Sequence, residues 1–335
     1  MGAKILQQDR LPELVDELIS THEVIGPKDE LSYGRITSAS AMYLSDKIPV
    51  RSLKEFLFPQ REVLVEFQLA ADQVRLTTPT IPADVARVVF ASCPCDAAAF
   101  PILDQVFAWD YMDSSYLQRR ENTVIISIAC ENPDRACFCV SVGGSPIESE
   151  GSDLLFTPLG EVYHVEIVTG RGKALVAEHA AFFRESNPEI NRQRSVFEER
   201  SRAKITKQVD VTGLPEALSF DNPVWETVAE QCTDCGTCTY LCPTCHCFDI
   251  QDEGSSARQG ERVRLWDACA FADYTRAHAG QPRPVHYRRY RQRIMHKFKY
   301  YQENFGETLC VGCGRCIRHC PVSVDITQVI KAVRE

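Results

Sequence analysis

Apolar residues recur at helical spacing over Leu11 to Ile19 and again over Leu53 to Phe58, which predicts two short packing helices. The pattern then changes to compact runs rich in Val, Ile and aromatic residues. Val63 to Phe67, Val85 to Ala91, Thr123 to Ile128, Leu154 to Thr157 and Val162 to Val168 read as strands. Helical signals lie between and beyond some of them, so the first two-thirds of the chain is expected to be mixed α/β. Glu185 to Lys207 is charge-dense and poor in large apolar side chains, the pattern of an exposed helix joining two domains. Asn222-Pro223 then offers an N-cap and an N1 proline for a helix running into Cys232. A boundary near residues 205–220 follows, with an α/β domain over 1–210 and a mainly α domain over 211–335.

The second domain carries one spacing twice. Cys232, Cys235, Cys238 and Cys242 precede Pro243, and Cys310, Cys313, Cys316 and Cys320 precede Pro321, so C-x2-C-x2-C-x3-C-P is repeated. Three thiolates two residues apart wrap a loop around one cubane, and the fourth reaches the neighbouring cluster. Two [4Fe-4S] clusters in a ferredoxin-like domain are expected, one on Cys232, Cys235, Cys238 and Cys320, the other on Cys310, Cys313, Cys316 and Cys242. Structural zinc fits poorly, since it takes paired knuckles rather than triplets followed by C-P. A long insertion separates the two motifs. It holds Gly254 to Gln259, read as a loop, then Trp266-Asp267-Ala268-Cys269 and a basic stretch.

Other cysteines also fall in patterns. Cys93-Pro94-Cys95-Asp96 follows one apolar strand, and Cys130, Cys137 and Cys139 follow another; strand ends are where an α/β sheet places site residues. Cys95, Cys130, Cys137 and Cys139 are expected to hold a third [4Fe-4S] cluster, with zinc on the same thiolates or inert buried thiols as the alternatives. Cys93, Cys245, Cys247 and Cys269 remain as additional ligand candidates. A fourth cluster or a zinc on Cys245, Cys247, Cys269 and one more ligand stands beside the plainer reading of packing around the clusters.

Composition narrows the class. A chain of 335 residues suggests about two domains. Its sixteen cysteines sit in metal-type rather than disulfide spacings, no run reaches the ~18 apolar residues of a membrane span, and Leu6 stands where a myristoylation signal needs Ser or Thr. A cytoplasmic protein without a membrane partner is expected. The net charge of -9 argues against nucleic acid, although Gln281 to Tyr301 holds seven Arg or Lys and no acidic residue. That stretch reads as a basic helix offsetting the negative charge of thiolate-ligated clusters. No G-x-G-x-x-G or G-x-x-x-x-G-K-[ST] is present, so neither flavin nor NAD is expected on this chain. No side chain is assigned a catalytic role.

The ensemble resembles the iron-sulfur beta subunit of group 3b NADP-linked [NiFe] hydrogenases (sulfhydrogenases) and the corresponding iron-sulfur subunit of anaerobic sulfite reductase. The marks are Cys93-Pro94-Cys95-Asp96, Asp113, Tyr116, Arg119-Arg120-Glu121, Cys130, Cys137-Phe138-Cys139, Cys232 to Cys247, Arg264 to Cys269, and Cys310 to Pro321. The resemblance implies an electron-transfer subunit between a flavin- and NAD(P)-binding subunit and a catalytic subunit pair. It equally covers electron input to an anaerobic sulfite reductase or heterodisulfide-reductase-like complex; a self-sufficient iron-sulfur reductase is the remaining reading. Where this family usually has Arg before Pro-Cys-Asp, this chain has Cys93, which leaves Cys93 to replace or supplement Cys95 as a ligand.

Overall fold

The computed structural model describes residues 2–45, 47–80 and 86–335. Among them run twelve strands: β1 (Ala3–Gln7), β2 (Glu23–Pro27), β3 (Tyr33–Arg35), β4 (Arg61–Leu69), β5 (Val74–Thr77), β6 (Arg87–Ser92), β7 (Thr123–Ile128), β8 (Leu154–Pro158), β9 (Val162–Ile167), β10 (Phe183–Glu185), β11 (Phe248–Ser256) and β12 (Gln259–Trp266). The chain divides into two compact units. One takes Met1–Leu53, Ala83–Thr212 and Cys310–Arg315; the other takes Lys54–Pro82, Gly213–Leu309 and Cys316–Glu335.

The first unit is built on an eight-stranded sheet in the order β10-β1-β9-β8-β7-β6-β2-β3. Its centre, β2-β6-β7-β8, is parallel, and the strands outside it pair antiparallel. The central strands read as near-continuous apolar runs because both faces are covered. Val88, Phe90, Ile126, Leu154 and Phe156 enter one buried cluster with Leu11, Leu14, Val15 and Leu18 of the helix Leu11–Thr21. The 11, 14, 15, 18 spacing places those four on one helical face. The helix Pro188–Ala203 opens on Asn187, whose side chain accepts from Ile190 N. It buries only Phe197 and Ser201, as its charge density anticipates.

The strands read from the sequence at 63–67, 123–128, 154–157 and 162–168 are present as β4, β7, β8 and β9. Val85 of the fifth lies outside the described residues, while Arg87–Ser92 forms β6. Leu53 to Phe58 yields one short 3-10 turn, Leu53–Phe56.

The second unit is less helical than the sequence suggests. Its β4, β5, β11 and β12 form an antiparallel sheet in the order β11-β12-β4-β5. Most of Gly254 to Gln259 is not loop: Gly254 pairs with Gly260, and Ser256 with Gln259, at the tip of the β11-β12 hairpin. The hairpin is weakly marked in the sequence because only Phe248 to Gln251 alternates apolar and polar positions, and the rest of β11 is polar and exposed. A buried ion pair between Arg264 and Glu62 ties β12 to β4. The basic stretch is helical, with His286–Met295 continuing through a π-helical turn, His296–Tyr300, into Tyr301–Phe305. Among the described residues no helix is long and apolar enough to cross a membrane.

Candidate metal centre

In the first unit, β6 and β7 deliver cysteines at their C-terminal ends. The ladder between them slips at Phe90/Ser92, and Ala91 adopts φ +57, a conformation that side chains other than Gly rarely take. That bulge re-aims the chain just before Cys93. The Cys93 carbonyl then accepts from Asp96 N and Ala97 N at 2.9 and 3.1 Å, closing the short helix Pro94–Ala97. Cys130 follows β7, and its N–H donates to Pro146 O at 2.8 Å.

The loop Ala136–Cys139 lies against the second ferredoxin motif. Phe138 N donates to Gly312 O at 2.8 Å, and Cys137 Sγ stands 3.8 Å from Cys313 O. Two glycines make this approach feasible. A Cβ on Gly312 (φ +64) would meet Cys139 backbone atoms at 2.5 Å, and one on Gly314 (φ +73) would meet Ala136 O at 2.5 Å. Gly312→Ala is therefore expected to destabilise the first unit by about 2–4 kcal/mol, combining backbone strain with overpacking against main chain. Thermal unfolding of the anaerobic protein measures it; a change under about 0.5 kcal/mol, the scale of a neutral surface substitution, would refute the close approach.

Cys130 faces Cys93, Cys137 and Cys139, whereas Cys95 faces Asp96, Cys93 and Cys313. The structure thus brings Cys93, Cys95, Cys130, Cys137 and Cys139 into one neighbourhood, with Cys95, Cys137 and Cys139 all near Cys313. Burial pushes the Cys93 and Cys139 thiols up to about 12 and raises Cys130 as well, so these thiols ionise only where a cation lies against them. Beside them Asp96 and Arg315, both fully buried, form a forked pair at 2.8 and 2.6 Å. Tyr33 Oη lies 3.3 Å from Asp96 and 3.7 Å from Cys93 Sγ.

In the second unit, Cys232, Cys235, Cys238 and Cys320 line one pocket, joined by Cys316, Tyr290 and Arg293. The basic helix turns Arg289, Arg293 and Lys297 toward the first cysteine motif, and their spacing of four puts them on one face. Their counterparts, Asp234, Cys238 and Cys242, are also four apart. Arg289 Nη2 reaches Asp234 at 2.5 Å, Arg293 lies among Cys238 and Cys316, and Lys297 Nζ donates to Cys242 Sγ at 3.2 Å. Asp234, at φ +55, sits with Cys232 and His286 in a trio whose ligand atoms fall within 4.8 Å of one another. Burial disfavours the Arg293 charge, but the surrounding sulfurs outweigh it and hold the guanidinium protonated. Arg293 Nε and Nη2 and the Tyr290 hydroxyl are buried and bond to nothing in the protein. Donors left over at a pocket walled by cysteines suit a sulfide-rich, negatively charged guest.

Cys310 and Cys313 belong to the first unit, and Cys316 and Cys242 to the second. Cys245, Cys247 and Cys269 lie within the second unit. Sequence reasoning missed the cation ladder as a ladder, although its i, i+4, i+8 spacing was visible; the Asp96–Arg315 pair left no local signal.

The 4Fe-4S dicluster domain family matches residues 231–324. Sulfhydrogenase 2 subunit beta of Pyrococcus furiosus is 30% identical over 336 aligned residues, covering 98% of each chain. The chain belongs to the sulfhydrogenase beta-subunit family. No solved structure matches it. Membership agrees with the resemblance carried by the cysteine motifs, and the dicluster domain spans both repeats of C-x2-C-x2-C-x3-C-P.

Proposed function

We propose that this chain is an electron-transfer subunit, relaying single electrons between a flavin- and NAD(P)-binding partner and a catalytic partner of an oxidoreductase complex such as a [NiFe] hydrogenase. The observation that carries the reading is the ladder Arg289, Arg293, Lys297 laid along the first cysteine motif within a dicluster domain. The relative's name, a sulfhydrogenase beta subunit, supports a place among partner subunits. Each [4Fe-4S] cluster, when bound, takes up and releases one electron at a potential set by its surroundings. Cys232, Cys235, Cys238 and Cys320 are assigned to one, and Cys310, Cys313, Cys316 and Cys242 to a second. Cys130, Cys137 and Cys139 are assigned to a third, with Cys95 as the fourth ligand or Cys93 replacing or supplementing it.

The residues around these sulfurs tune the relay. Lys297 donates to Cys242 and to Leu309 O at 2.8 Å, so its ammonium is fixed rather than mobile. Removing that positive charge disfavours the more negative, reduced form. Lys297→Gln is expected to lower the potential of the Cys242-ligated cluster by about 60 mV, the equivalent of about 1.4 kcal/mol for one electron. A redox titration followed by EPR reads the shift, and an unchanged midpoint would remove the tuning role.

The function itself is tested on anaerobically purified chain by iron, zinc and sulfide analysis and stepwise reduction. The reading requires at least about twelve irons, little zinc, and reduced clusters that pass electrons to an external one-electron acceptor. Zinc in place of iron, or clusters that no acceptor can oxidise, would refute it.

A further inference from the structure

The β11-β12 hairpin brings two cysteine segments together at its open end. Its register pairs Phe248 with Trp266, and one step further out Asp267 N donates to Cys247 O at 3.0 Å. Cys245-His246-Cys247 thereby meets Trp266-Asp267-Ala268-Cys269. The Cys247 side chain lies beside those of Cys269 and Tyr274, and Cys245 lies beside Cys242. Cys245 and Cys269 are buried.

The second observation is a buried cation that forms no ion pair with a carboxylate among the described residues. Lys54 is 3% exposed; its Nζ donates to Thr239 O at 3.2 Å and to Cys245 O at 2.9 Å, and lies 4.1 Å from the Trp266 ring centroid. The sulfurs of Cys245, Cys242 and Cys247 lie near it, with Lys297 as the neighbouring cation. A buried ammonium is costly unless it is matched by opposite charge. Thiolates carrying a cluster supply that charge, whereas neutral thiols do not.

We infer that Cys245, Cys247 and Cys269 hold a fourth [4Fe-4S] cluster inside the second unit, with Lys54 as its buried counter-charge. Cys242, which lies beside Cys245, is assigned to a different cluster on the reading above and is not counted among these ligands. Only three protein sulfurs are supplied, so one iron carries a ligand from outside the cysteine set. The assignment rests on the iron-sulfur reading of the chain but not on the third, N-terminal site.

The test is iron, zinc and sulfide per full-length chain, purified anaerobically, for the parent, Cys269→Ser, Cys247→Ser and Cys137→Ala. Expected are about sixteen irons in the parent and about twelve in each single variant. A parent with about twelve irons, with Cys137→Ala at about eight and the two serine variants unchanged, would overturn the fourth cluster and leave the relay standing. The reverse, loss in the serine variants but not in Cys137→Ala, would support this site and remove the N-terminal one. One zinc per chain lost from Cys269→Ser would overturn the cluster assignment. If a serine variant fails to fold, the parent and Cys137→Ala decide together: about sixteen irons in the parent, or about twelve that Cys137→Ala leaves unchanged, supports the site, and about twelve that Cys137→Ala lowers to about eight refutes it.

Discussion

Replacing Cys320 by serine is expected to empty the cluster built mainly by Cys232, Cys235 and Cys238, lowering iron and sulfide by about four per chain while the other clusters stay. The reason is spatial. Cys320 lines the same pocket as those three residues despite its distance along the chain, and Val324 N donates to its sulfur at 3.2 Å, the kind of contact that steadies a ligating thiolate. Arg293 and Tyr290, whose buried donors bond to nothing else in the protein, close the same pocket. A serine leaves one iron without its sulfur and those donors without an anion. EPR of the reduced protein distinguishes the centres, because Cys232→Ser should abolish the same signal as Cys320→Ser. If Cys320→Ser instead removed the signal that Cys310→Ser removes, the crossed ligation would be wrong.

Much of this was legible in the chain because thiolate spacing is a local code. The doubled cysteine motif fixes two loops whatever surrounds them, and β7 and β8 announce themselves as largely apolar, largely buried runs. What was not legible depends on pairing between distant segments. β11 alternates apolar and polar only from Phe248 to Gln251, then runs through Asp252 and Glu253 fully exposed, too short a pattern to mark a nine-residue strand; its partner β12 supplies the order. The bulge at Ala91 that redirects the chain just before Cys93 is a conformation that the sequence of β6 does not advertise. The basic helix was read as offsetting cluster charge. The structure adds that Arg289, Arg291, Arg293 and Lys297 are all buried, which takes four cations out of reach of any external polyanion.

Arg315→Met is expected to be the most destabilising single change in the first unit, by about 3–5 kcal/mol, because it strands the Asp96 carboxylate in the interior. Both side chains are 0% exposed, and the guanidinium also donates from Nε to Pro49 O at 2.9 Å. Asp96 follows Cys95 directly, and Arg315 stands between Gly314 and Cys316, so the pair fastens a cysteine-bearing helix to a cluster loop. Arg315→Lys keeps a charge but loses the fork, and should cost less than Arg315→Met. The double variant Asp96→Leu/Arg315→Met removes both charges and should recover part of the loss, since the penalty comes mainly from the unpaired partner. Thermal unfolding of the four proteins under anaerobic conditions, with iron counted in parallel, separates two roles. A fall in melting temperature with iron retained marks a purely structural latch. A matching loss of about four irons shows that the Asp96–Arg315 pair also holds Cys93 and Cys137 in register for their cluster. If Arg315→Met lay within about 0.5 kcal/mol of the parent, the pair would be solvated in solution and could not set the position of either cysteine loop.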